Sequence, residues 1–134
     1  MWYVVNSMED ISYLMTQFGN FHDSVLTELK YISGAYVNKD QTMVPLNLKR
    51  EVSVVFQRQS EKLSSVELVF EGVKSIHLLP SIPDNSCEIF GAQILKYDGR
   101  FYWVDTDFDV SFLDDISQYS GNLISGEKLK WRSI

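Results

Sequence analysis

The residues Phe21-His22-Asp23 are the first place in this chain where side-chain types suggest chemistry. An imidazole exchanges a proton near neutral pH, and an adjacent carboxylate could orient it. A catalytic pair would also need a pocket and a third group, and no recognisable nucleophile motif accompanies it. Successive side chains point apart once a strand begins, so His22 and Asp23 need not touch. The simpler expectation is a structural junction, with Asp23 accepting backbone hydrogen bonds and His22 satisfying a buried carbonyl. His77 sits in an apolar run with no metal-ligand spacing beside it, and reads as a satisfied histidine at a sheet edge. Asp105-Thr106-Asp107-Phe108-Asp109 begins like a calcium loop. It then places Val110 where the loop needs Gly and Ile116 where it needs Glu. Alternating, solvated aspartates on one side of an extended segment are the simpler account. Cys87, the single cysteine, reads as a half-buried structural thiol. No metal site and no cofactor are expected.

These residues need a scaffold, and the clearest local signal is a helix. Ser7 and Asp10 have capping-box spacing, and Glu9 and Asp10 place negative charge at the N-terminus. Ile11, Leu14, Met15 and Phe18 form one apolar stripe, and Gly19 can end the helix. The pattern predicts a helix over 8–18. Strands are predicted over 24–37, with Gly34 marking a bulge, and over 50–59, where Val52, Val54 and Phe56 alternate with Ser53, Val55 and Gln57. Lys39-Asp40-Gln41 reads as a turn. Val66, Leu68 and Phe70 suggest a hairpin partner for the 50–59 run. Glu71-Gly72-Val73 could break that strand or turn it. Pro80 and Pro83 end the following apolar stretch. A strand over 88–97, the turn Asp98-Gly99 and a return strand over 100–105 make a second hairpin. Residues 108–112 could extend the sheet, and 128–132 could close it. The expected fold class is α+β: an N-terminal helix packed on a mostly antiparallel β-meander sheet, in a single domain over 1–134.

The net charge of −6 argues against sequence-independent nucleic-acid binding, which requires clustered Lys and Arg. The acid is concentrated between Asp84 and Glu127, where nine carboxylates face only Lys96 and Arg100. Asp105, Asp107, Asp109, Asp114 and Asp115 therefore suggest a docking face for a basic protein partner. A solvated, solubilising face is the plainer alternative. The apolar start at Met1 is too short and lacks the basic residues of a signal peptide, and no run of 18 apolar residues occurs. With no disulfide available, the cytoplasm is the expected location and no membrane contact is expected.

Residues Gln17-Phe18-Gly19-Asn20-Phe21-His22-Asp23-Ser24-Val25-Leu26 resemble the opening of a group of small bacterial proteins with a Phe-His-Asp signature. Its members look like immunity proteins of the immunity protein 50 type, or related uncharacterised proteins. Val66-Glu67-Leu68-Val69-Phe70-Glu71-Gly72-Val73 is similar to their later strand segment, so the likeness covers roughly the first 80 residues. The resemblance implies a non-catalytic cytoplasmic protein that binds and neutralises a partner such as a toxin domain. Fast association of an acidic face with a basic partner fits that expectation. The competing expectation is a small enzyme or ligand-binding protein using His22 and Asp23.

Overall fold

A computed structural model describes residues 1–110 and 116–134. The helix forms where the stripe predicts it, as α1 (Met8–Gln17). Its capping box closes both ways. The Asp10 N–H donates to Ser7 Oγ at 3.2 Å, and the Ser7 N–H donates to Asp10 Oδ2 at 3.1 Å. Ile11, Leu14 and Phe18 are buried beneath it.

The strands are β1 (Tyr3–Val5), β2 (Ser24–Ile32), β3 (Tyr36–Val37), β4 (Met43–Val44), β5 (Glu51–Arg58), β6 (Ser65–His77), β7 (Gln93–Tyr97), β8 (Arg100–Val104) and β9 (Leu123–Ser133). Seven of them make one antiparallel sheet in the order β2-β5-β6-β9-β8-β7, with β1 paired to β9. β3 and β4 form a separate small hairpin around the predicted 39–41 turn. The fold is therefore α+β, with one helix on a mostly antiparallel sheet. The sheet consists of two meanders, β2-β5-β6 and β7-β8-β9, joined by pairing of β6 with β9.

That junction is made by the tail, expected as a closing strand. The 128–132 segment belongs to an 11-residue strand inside the sheet. One edge of β9 pairs with β6. Its other edge is shared between β8, opposite Leu123–Gly126, and β1, opposite Leu129–Trp131. β6 also runs straight through Glu71-Gly72-Val73. Gly72 takes φ +63°, which a side chain would oppose, and a register shift follows between Val73 and Ser75. The bulge expected at Gly34 lies instead in β2, between Leu26 and Glu28. The strand expected from residue 88 begins only at Gln93, and residues 108–110 are not in a strand.

Alternation sends Val52, Val54, Phe56, Val66, Leu68 and Phe70 to the helix side, where they form the main core with Phe21 and Trp103. β8 is buried on both faces. Phe101 and Trp103 point to the main core, while Tyr102 and Val104 meet Val110, Ile116 and Leu123 in a second cluster. The link from β6 to β7 passes the start of β2, where Ile89 makes an isolated bridge to Ser24. That bridge ties the start of β2 to the segment that leads into β7.

Candidate functional site

The site grows out of the chain's exit from α1. Gly19, Asn20 and Phe21 have φ of +57°, +55° and +58°, and Asp23 has +55°. A left-handed run that includes a phenylalanine costs on the order of 1–3 kcal/mol per residue, so the surroundings must hold it. Packing does so from inside. The Phe21 ring is fully buried, edge-on to Phe18 (5.1 Å between centroids) and Phe56 (5.0 Å), with Trp103 at 6.1 Å. Hydrogen bonds do so from outside. The buried Ser24 hydroxyl donates to the Phe21 carbonyl at 2.6 Å. The N–H groups of Ala92 and Ile89 donate to the carbonyls of Asn20 (3.0 Å) and Ser24 (2.7 Å).

His22 completes this seam, because its Nδ1 is hydrogen-bonded to the Phe90 carbonyl. Its Nε2 lies 3.2 Å from Asp23 Oδ2. The two side chains touch after all, since the left-handed turn at Asp23 comes before the strand separates neighbours. Both ring nitrogens are thus engaged, and both contacts are best made by a doubly protonated ring. The Phe90 carbonyl, and then the charge of Asp23, hold the His22 pKa above its ordinary value, with smaller help from Glu88 and Asp107 and against a desolvation cost. His22 is well exposed, so it clasps a surface segment rather than satisfying a buried carbonyl.

That segment carries one exposed aromatic ring, and the loop after β8 carries another. Phe90 is 76% exposed and Phe108 is 78% exposed. Gln93 brings their two loops together by donating from Nε2 to the carbonyls of Thr106 (2.9 Å) and Phe108 (2.7 Å). The Asp107 side chain packs against Gly91, where a Cβ would lie 2.8 Å from Oδ2. A depression of about 310 Å³ lies beside Phe90, lined by Met15, Asn20, His22, Gly91 and Asp107 among others. Exposed aromatic rings bordered by Asp23, Glu88 and Asp107 make an amphipathic, acidic surface.

The predicted docking aspartates do not share one environment. Asp105 is part-buried, accepting from the Tyr119 hydroxyl at 2.6 Å and from Asn122 Nδ2 at 2.8 Å. Asp107 and Asp109 are exposed, and Asp114 and Asp115 lie outside the described residues. Residues 105–110 are not an extended strand, so the aspartates are not aligned along one side. Asp105, committed to two donors, is also a poor start for a calcium loop. Among the described residues, no group of three or more His, Cys, Asp or Glu side chains could hold a metal ion. Cys87 is exposed rather than half-buried. His77 sits at the end of β6 with Nδ1 2.9 Å from the Gly121 carbonyl. No helix among the described residues is long and apolar enough to cross a membrane.

Phe90 and Phe108 were not among the predicted site residues. A signal existed for Phe90: neighbours on an extended segment face opposite ways, so an inward Ile89 sends Phe90 outward. Comparison of the chain with protein-family models, curated proteins and solved structures finds no match.

Proposed function

We propose that the protein is a non-catalytic protein-binding module, of the kind that neutralises a basic partner such as a bacterial toxin domain. The observation that carries this reading is the pair of exposed rings, Phe90 and Phe108, set beside Asp107 on a hydrogen-bonded loop platform. Aromatic residues are the usual energetic anchors of protein interfaces. Carboxylates around them accelerate encounter with a cationic surface. The Phe-His-Asp resemblance, over roughly the first 80 residues, supports the immunity reading. The alternative, an enzyme or ligand binder using His22 and Asp23, draws less support from the geometry. Phe90 and Asp23 already occupy both imidazole nitrogens.

The test starts from the neighbouring gene; where it encodes a toxin-like chain, co-purification and titration calorimetry are run with its product. Tight binding is expected, weakened at least tenfold by Phe90→Ala with Phe108→Ala. Reversing charge at Asp107 and Asp109 to Lys is expected to slow association. A complex indifferent to all four changes places the interface elsewhere. An adjacent gene product that does not bind removes the immunity reading.

A further inference from the structure

β2 stands at one end of the sheet order, so one of its edges has no neighbouring strand. Ile89 covers that edge at its start, through the bridge to Ser24. From Glu28 to Ile32 the backbone pairs, among the described residues, with β5 alone. An open edge presents unpaired N–H and C=O groups to an incoming strand, and proteins blunt it with proline, bulges or charge. β2 contains no proline. Its bulge lies between Leu26 and Glu28, and the register is regular from Glu28 onward. The charges are Glu28 and Lys30, both exposed. Among the described residues, neither has an ion pair or a side-chain hydrogen bond.

The two charges share a face. Glu28 and Lys30 stand opposite Val55 and Ser53, whereas Leu29 and Tyr31 stand opposite the core residues Val54 and Val52. Leu29 therefore lies midway between one acid and one base. We propose that this edge pairs antiparallel with the same edge of a second copy of the chain, about a two-fold axis at Leu29. Each Glu28 then stands directly across from Lys30 of the second copy, and opposite charges so placed stabilise a strand pair. Tyr31, 43% exposed, comes to lie across from Thr27 of the second copy. The charges also reject the neighbouring registers. A shift of two residues sets Glu28 against Glu28 or Lys30 against Lys30, which is repulsive. A shift of one residue sets the helix-side face of one copy against the open face of the other. Self-complementarity about a single residue is what a two-fold interface requires, and a strand from an unrelated protein does not call for it.

Sedimentation equilibrium of the full chain tests this. So short a pairing falls below the size of a permanent interface, so a dimer that dissociates reversibly on dilution is expected. Glu28→Lys and Lys30→Glu, each alone, turn two attractive contacts repulsive and should weaken the dimer roughly tenfold or more. Mixing the two variants should restore association, because two like charges on one chain then meet two opposite charges on the other. Both changes in one chain should restore it as well, with the net charge still −6. Circular dichroism should match wild type in every case, since both side chains are exposed. A chain that stays monomeric up to about 1 mM, where even a millimolar Kd would show, overturns the proposal. So does a dimer indifferent to both single reversals, or a mixture that associates no better than its components. Phe90 and Phe108 are unchanged in all these chains, so partner binding there is scored separately.

Discussion

His22 and Phe90 lie 68 positions apart in sequence and are joined by a hydrogen bond from the imidazole Nδ1 to the main-chain carbonyl. The bond ties the turn after α1 to the segment that leads into β7. It is favoured when the ring is charged, because Asp23 faces Nε2.

The first prediction follows from that charge. The folded-state His22 pKa is raised above the ordinary 6.5. The associated stabilisation is therefore complete below pH 6.5 and is lost as pH climbs through the raised value. Urea unfolding of wild type and His22→Gln across pH 5.5–9 isolates this contribution from other titrations. The gap between the two proteins should be widest at the acid end and narrow toward pH 9. A gap that does not change with pH would mean that neutral His22 holds Phe90 equally well.

Phe21 sets the second prediction. Its burial must outweigh the left-handed backbone it occupies. Phe21→Ala removes ring contacts with Phe18, Phe56 and Trp103, and should cost about 3–5 kcal/mol in chemical denaturation. A loss below about 1 kcal/mol would show that the core closes over the gap, and that relief of backbone strain offsets the rest.

These two residues show what was legible in the sequence. Period and capping located α1, and alternation located β5 and the first half of β6, because those signals are local. Asp98-Gly99 announced its hairpin because both residues take positive φ, +51° and +72°. The position of β9 was not legible. Its Gly126-Glu127-Lys128 interrupts alternation, and its neighbours β6, β8 and β1 come from across the whole chain. The His22 contact with Asp23 depended on a backbone conformation that residue types alone do not specify. Asp105 looked like a member of an exposed acidic row, and its donors Tyr119 and Asn122 stand 14 and 17 positions further along the chain.

The third prediction separates binding from folding at the aromatic platform. Phe90 and Phe108 leave most of their surface in water, so truncation removes little packing. Phe90→Ala and Phe108→Ala should each shift unfolding free energy by no more than about 0.5 kcal/mol, the usual range for surface substitutions. A loss of several kcal/mol in either would identify that ring as a structural element and withdraw it from the docking surface.

Asp105 and Asp107 offer the sharpest contrast, because two aspartates two positions apart play different parts. Asp105 anchors Tyr119 and Asn122, and Asn122 in turn holds the Leu79 N–H. Burial, and then the hydrogen bond and charge of Asp105, push the Tyr119 hydroxyl far above its ordinary pKa, so it remains a donor through the physiological range. Asp105→Ala strands both donors in a part-buried site and should cost about 1–3 kcal/mol. Asp107→Ala, on the exposed loop, should leave stability within about 0.5 kcal/mol of wild type and act on partner association instead. Thermal unfolding of the two single variants decides the matter. Equal destabilisation would mean that the 105–107 loop folds as one unit with the second core. Selective loss in Asp105→Ala would confine the docking charge to the residues beyond it.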